Sequence, residues 1–423
     1  MTQPVRRPAR RSRALSDGTI SAIIASVKIQ LTKNKTIEFG FPGTGNGGGA
    51  KSKVDLVGVE LFSGDARGCP AVRLYRKKNL WRLGAADFIK PPDGELPVSW
   101  EDTPRQPKWE LPHDFQSPSA ALAVNSQLGS FGQASSEAII QEMIHGAAPV
   151  KESASAAGEI GKRRLGIKHA IAPAQPATPQ PAANAKRPEF PNDGIPVSEN
   201  GRRFVVRPFA EDDFHLCASM PEFQALWLGR LLPEGKRPTA GSIQLAESAL
   251  MASILVQPEY LEAKGNMLAI IVRENAIYFA GYKEGLPVLW RRCPNTRGYM
   301  AMRNAVRKTL GVDEELVDSV LEDSLVDPRP ALEPFIHPVL EQLELARAYL
   351  TGKHRIAADK VMLVGLPRGA EHWRHYAEEA LKLQLVAPSP FAGIEIDKGV
   401  KTDDPTAFLA ALGAALAAAE AET

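Results

Sequence analysis

Apolar positions along this chain fall into two similar sets of short strands. VDLVGVELF (54–62), AVRLYRKK (71–78) and WRLGAADFIK (81–90) predict three successive strands, with a hairpin turn near Lys78–Asn79. MLAIIVR (267–273), AIYFAGY (276–282) and LPVLWRRC (286–293) predict a second trio, with turns at Glu274–Asn275 and Glu284–Gly285. After the first trio, SAALAVNSQLGSFGQ (119–133) and FHLCASM (214–220) are strand-like. SSEAIIQEMIHG (135–146), capped by Ser135 or Ser136, PEFQALWLGRLLPEG (221–235) and IQLAESALMASILV (243–256) predict helices. After the second trio come helices at about 297–310, 313–325 and 331–350, the buried strand KVMLVGLP (360–367) and a helix at about 369–384. The short strand GIEI (393–396) and an Ala-rich terminal helix from Thr406 close the order. A three-stranded unit followed by helix–strand alternation thus occurs twice, about 210 residues apart.

Two stretches break the pattern. Eight of the 34 prolines lie between Pro149 and Pro196, in an Ala-rich segment nearly free of aromatics. Such a composition cannot bury enough apolar surface to offset its ordering entropy, so residues 146–200 are expected to be a disordered insertion. Its KRR at Lys162–Arg164 reads as a solvated run. Residues 1–53 read as a basic, glycine-rich tail: Arg6, Arg7, Arg10, Arg11 and Arg13 open it, and GTGNGGGAKSK (43–53) closes it. Between them Ile20, Ile23, Ile24 and Val27 recur at helical spacing, which predicts a short element docked on the core. An arginine-rich start before a short apolar face also suits an anionic membrane surface.

Charge and cysteine content narrow the function. The 423 residues hold 51 basic and 49 acidic side chains, a net +2, too balanced for a globally charge-driven nucleic-acid binder. Three widely spaced cysteines, Cys69, Cys217 and Cys293, fit neither a disulfide framework nor a zinc site. No apolar run reaches the ~18 residues of a membrane span, and no signal peptide is expected, so the chain reads as a cytoplasmic protein.

The chemical motifs are weak. GNGGGAKS (45–52) imitates a P-loop, but Ala50 replaces the last glycine, and a strand follows where a helix should open. His372 and His375 have ligand spacing but lack a third ligand; beside Glu371, Arg374 and Glu378 they read as a wet helix face. DEELVDSVLED (313–323) reads as an amphipathic helix whose Leu316, Val317, Val320 and Leu321 face inward. No catalytic residue is identified.

The order of these elements resembles the duplicated actin/hexokinase-type (ribonuclease H-like) α/β fold. Within that group it looks like PilM, the actin-like cytoplasmic component of type IV pilus and related secretion systems, a relative of FtsA. VGVELFSGDARG followed by VRLYRKKNLWRL matches the family's opening hairpin. MLAIIVRENAIYFAGYKEGLPVLWRRCP with RGYMAMRNAVRKTLGV is similar to its second meander and helix. ALEPFIHPVLEQLELARAYL, KVMLVGLPRGAEHW and FLAALGAALA follow in the family's order. The resemblance implies a first lobe at 54–257 with a small subdomain, a second lobe at 258–405, and a terminal helix (406–423) returning to the first lobe.

In this fold two strand turns, rich in glycine and small hydroxyls, approach the phosphates of Mg-ATP from either side. The matching positions here are Gly58, Glu60 and Ser63 at the first turn, Glu247 in the connecting helix, and Gly365 and Gly369 on the adenosine side. Three departures stand out. Phe62 takes the place of the turn glycine; Ile270, Ile271 and Val272 make the second turn apolar; only one glycine of the adenosine-side pair survives. The resemblance therefore implies a pseudo-ATPase scaffold, with ATP and Mg retained, if at all, at a degenerate cleft. It further implies a PilN-type partner, whose cytoplasmic tail would sit in a groove of the first lobe near Phe131, Ile140 and Met143. The alternatives of the same fold are an active ATP-binding or ATP-hydrolysing PilM/FtsA-like protein and, less well supported, a sugar kinase, which would need a cleft base and intact phosphate turns.

Overall fold

The computed structural model describes residues 26–32, 35–40, 54–93 (less 64, 66, 78 and 79), 97, 109–134 (less 118 and 126–128), 202–208, 215–231 and 239–422 (less 285, 295–297, 323–325 and 366–369). The expected helix at 135–146, the insertion at 146–200 and the P-loop imitation at 45–52 lie outside the described residues.

In chain order the strands are β1 (Ser26–Thr32), β2 (Lys35–Gly40), β3 (Asp55–Leu61), β4 (Cys69–Lys77), β5 (Leu80–Ile89), β6 (Ser119–Val124), β7 (Ser130–Ala134), β8 (Arg202–Pro208), β9 (His215–Pro221), β10 (Thr239–Leu245), β11 (Met267–Val272), β12 (Ile277–Lys283), β13 (Leu286–Arg292), β14 (Lys360–Val364), β15 (Gln384–Val386) and β16 (Glu395–Ile396). The helices are α1 (Glu222–Leu231), α2 (Ala246–Ile254), α3 (Pro258–Glu262), α4 (Gly298–Leu310), α5 (Val317–Glu322), α6 (Arg329–Tyr349), α7 (Ala370–Leu381) and α8 (Leu409–Glu422).

Topology establishes the duplication. The second lobe is a five-stranded sheet ordered β13-β12-β11-β14-β15, with an antiparallel meander on one side of β11 and parallel pairs on the other. The first lobe repeats that order and sense as β5-β4-β3-β6-β10. Each lobe thus runs 3-2-1-4-5 from its own first strand, and the two first strands begin at the two predicted meanders.

The first sheet is then extended at both edges. The β1–β2 hairpin joins through β2, which pairs in parallel with β10, and β16 adds to β5. Part of the expected tail is therefore sheet, and Val27, read at helical spacing, lies in β1 opposite Phe39 of β2; β2 in turn pairs with β10, some 200 positions away, which a local periodicity does not reveal. A separate three-stranded sheet, β7-β9-β8, is inserted between β6 and β10.

Burial follows from the pleat. All six residues of β11 are buried. Met267, Ala269 and Ile271 enter a core shared with the first lobe, whereas Leu268, Ile270 and Val272 enter the core beneath α4–α7. Helix α8 packs against the first lobe. Ala410, Ala414 and Ala417 join the shared core, and Ala411, Leu412 and Ala415 join the cluster under β4 and β5. Its small residues permit backbone contact. A Cβ on Gly413 would stand 1.9 Å from the carbonyl oxygen of Ala249, and one on Gly58 would stand 2.0 Å from that of Ala411.

Candidate functional site

The ends of β3 and β11 face each other across a cleft of about 150 Å³, below the ~300–1,000 Å³ of ordinary small-molecule sites. Glu60, Ser63, Arg273, Glu274 and Gly365 are among its lining residues. At the first turn Phe62 adopts the left-handed region (φ 60°) and packs half-buried against the shared core. Ser63 is engaged locally: its Oγ accepts from the Asp65 N–H at 3.3 Å and lies 3.5 Å from the Gly68 carbonyl. Arg67, two residues on, pairs with Asp65 at 2.7 Å and Asp404 at 2.9 Å and lies over the Phe88 ring. Hydrogen bonding to Asp65, and then to Asp404, raises its pKa against the lowering effect of burial.

The second turn is charged, a correction to the apolar reading of Ile270, Ile271 and Val272. Those three residues lie within β11, and the turn begins at Arg273. The Arg273 guanidinium donates from Nη2 to Glu60 Oε1 at 2.6 Å, with side chains 10% and 4% exposed. Burial disfavours its charge, but the fields of Glu60 and of Glu247 on α2 outweigh that and hold the pKa above its ordinary value. Beside it, Glu274 accepts from Asn125 Nδ2 at 3.2 Å, and the same amide donates to the Phe62 carbonyl at 3.0 Å. Burial chiefly raises the Glu274 pKa, with Glu60 adding to it and Arg273 and Asn125 opposing.

Helix α4 starts against this turn. The N–H groups of Tyr299 and Met300 donate to the carbonyls of Arg273 and Glu274 at 2.8 and 2.9 Å. Gly298, at φ +68°, admits the approach, since a Cβ there would fall 2.3 Å from the Arg273 carbonyl oxygen. Further along α4, Arg303 faces Asp318 at 3.4 Å, and Tyr299 donates to Asp318 at 2.9 Å. Gly365 (φ +77°) sits where a Cβ would approach the Val272 carbonyl oxygen to 2.6 Å.

The structure thus gathers Glu60, Ser63 and Gly365 at one cleft and sets Glu247 close enough to act on Arg273. Gly58 belongs elsewhere: its missing side chain makes room for α8, not for a phosphate. Gly369, Ile140 and Met143 lie outside the described residues. Phe131 is half-buried on β7, where its ring meets Trp290 edge-on at 4.8 Å, and Gln133 Oε1 accepts the Trp290 N–H at 3.0 Å.

This lining does not suit magnesium-bound phosphate. Two first-turn N–H groups of α4, those of Tyr299 and Met300, are spent on backbone carbonyls, and the Arg273 guanidinium bridges the two strand ends to Glu60. Among the described residues no group of three or more His, Cys, Asp or Glu could hold a metal ion. His375 lies against Glu379 at 3.5 Å, in keeping with a wet helix face. The residue missed in the sequence is Arg273. Its signal was present, a charge directly after a wholly apolar strand, but such charges ordinarily mark a solvated turn.

Comparison with known proteins gives a substantial likeness. A chain of a PilM-PilN type IV pilus biogenesis complex matches over 86% of this chain and 98% of its own length, with a TM-score of 0.52 at 13% identity. The fold is PilM-like and actin-like. An actin-like ATPase-fold protein of unknown function from Bacteroides thetaiotaomicron matches over 85% of this chain and 96% of its own, with a TM-score of 0.37 at 9% identity. An archaeal actin homologue matches over 47% of this chain and 66% of its own, with a TM-score of 0.30 at 15% identity. No protein-family profile and no curated protein matches the sequence.

Proposed function

We propose that this protein is a non-catalytic, actin-like scaffold of a type IV pilus- or type II secretion-like assembly. Its partner in this reading is the cytoplasmic tail of a PilN-type inner-membrane protein. The likeness to the PilM-PilN complex, spanning nearly the whole of that chain, carries the reading. The scaffold role draws on the cleft, where Arg273 and Glu60 neutralise each other between the strand ends.

The tail is expected to bind beside the β7-β9-β8 sheet, as an extended peptide held by main-chain pairing and a few apolar pockets. Phe131 contributes to that region by fixing β7 against Trp290, and Ile140 and Met143 are the further pocket candidates. Among the described residues no helix is long and apolar enough to cross a membrane, so attachment to the inner membrane would run through the partner, aided by the Arg-rich start. Synthetic N-terminal tails of co-encoded bitopic proteins, titrated against the full chain by fluorescence anisotropy, test this. Saturable binding of one tail at micromolar concentration is expected; no binding by any of them refutes the partner assignment. The alternative, a nucleotide-driven PilM/FtsA-like protein, requires Mg-ATP to displace Arg273 from Glu60.

A further inference from the structure

A two-lobed body opens or closes according to what joins its lobes, and here the chain supplies the junction itself. Glu60 and Arg273 are 213 positions apart in sequence and belong to different lobes, yet form a buried contact of 2.6 Å. Glu247 adds a second carboxylate to the field on the same guanidinium. Withdrawing Arg273 would leave the buried Glu60 carboxylate without the cation it pairs with, a state that desolvation opposes.

Two further ties act in the same direction. Asn125 holds the Phe62 carbonyl of one lobe and the Glu274 carboxylate of the other through a single amide. At the periphery, Phe131 and Gln133 of the small sheet grip Trp290, whose ring also stacks on Tyr278 at 4.9 Å. The helix N-terminus that could have received an anion is closed by the carbonyls of Arg273 and Glu274.

We propose that Arg273 is a built-in latch. It takes the place between the lobes that the charge of a bound ligand takes in a ligand-gated cleft, and it holds this protein in one closed conformation with no ligand present. The surface offered to any partner is then independent of the cell's nucleotide state. This stands on the cleft geometry and survives even if the pilus partner is wrong.

Hydrogen exchange on the full chain, with and without Mg-ATP, tests it at the amides of residues 58–62 and 270–274. In the unaltered protein these amides are expected to be protected, with rates that Mg-ATP leaves unchanged. In Arg273→Ala they exchange roughly tenfold faster, while Ile277–Phe279 on the second lobe's meander keep their protection. Millimolar guanidinium, refilling the vacated space, restores slow exchange. Glu60→Gln preserves side-chain size and removes the charge, so it serves if Arg273→Ala does not fold; it is expected to exchange faster at the same amides. Wild-type exchange at the cleft in whichever variant folds would overturn the latch, as would a roughly tenfold slowing by Mg-ATP in the unaltered protein.

Discussion

The two lobes share a strand order and differ in what has been added to it. The second lobe's additions are helical, with α4, α5 and α6 between β13 and β14 and α7 between β14 and β15. The first carries the β7-β9-β8 sheet between β6 and β10, a hairpin beyond β10, and β16 and α8 packed around β4 and β5. Around Arg273 the two lobes are complementary: Glu60 and Glu247 of the first act on this cation of the second, while Asn125 of the first donates to Glu274 of the second. A duplicated scaffold can therefore keep its topology, which the apolar cores enforce, while the few polar residues between its halves differ. Additions at the edges of the first sheet and an ion pair between the lobes are the two features on which the proposed scaffold reading draws.

The largest expected effect tests the neutralisation. Arg273→Ala should destabilise the protein by about 3–5 kcal/mol in chemical denaturation, because it strands buried carboxylates. The double change Glu60→Leu with Arg273→Met should recover part of that loss, since apolar residues replace the buried pair at little net cost while the buried Glu247 stays in place. A double variant as unstable as the single one would mean that the site has a role beyond charge balance.

Next come the close backbone contacts of the first lobe. Gly58→Ala and Gly413→Ala should each cost about 1–3 kcal/mol through overpacking against Ala411 and Ala249. Gly352→Ala in the second lobe, with no atom within 4 Å of its Cβ, should stay within about 0.5 kcal/mol of neutral. Equal effects at all three would remove the contrast between the two glycines at the α8 packing contacts and one with open space around it.

Smaller effects concern titration. Burial pushes the thiol of Cys69 up to about 11 and that of Cys217 up to about 12. All three cysteines are buried, so a thiol reagent at neutral pH should label none in the native protein and all three in denaturant. The smallest effect is at exposed Asp327. Hydrogen bonds from the Arg329 side chain and backbone lower its carboxyl to about 2. A depressed carboxylate contributes stability that is present above its ordinary range near 3.8 and is lost as pH falls toward 2. Asp327→Asn should flatten the stability–pH curve only in that window.

Much of this was legible in the sequence. The meanders at Val54 and Met267 stand out because strands buried on both faces read as continuous apolar runs between turn residues. The terminal helix stands out because alanine and leucine leave it no polar face. Strand β10 was hidden, since IQLAESALMASILV runs from strand into helix with no punctuating residue, and the switch is set by pairing with β6 and β2. Strands β2 and β15 likewise pair with partners outside their local sequence, β10 and β14. Leu316 illustrates a subtler limit. It fits the apolar face of a helix begun at 313, but α5 begins at Val317 and leaves Leu316 exposed. At the cleft, Glu60 and Glu247 could be named from position alone. Arg273 could not, because its burial depends on a carboxylate 213 positions away.

Isothermal titration of Mg-ATP into the full-length protein tests the central claim most directly. With Arg273 seated against Glu60, the account predicts no saturable heat at nucleotide concentrations up to about 1 mM, that is, binding weaker than about 4 kcal/mol. A stoichiometric isotherm with Kd below about 10 µM would show that the cleft still takes its ancestral ligand and would contradict the account.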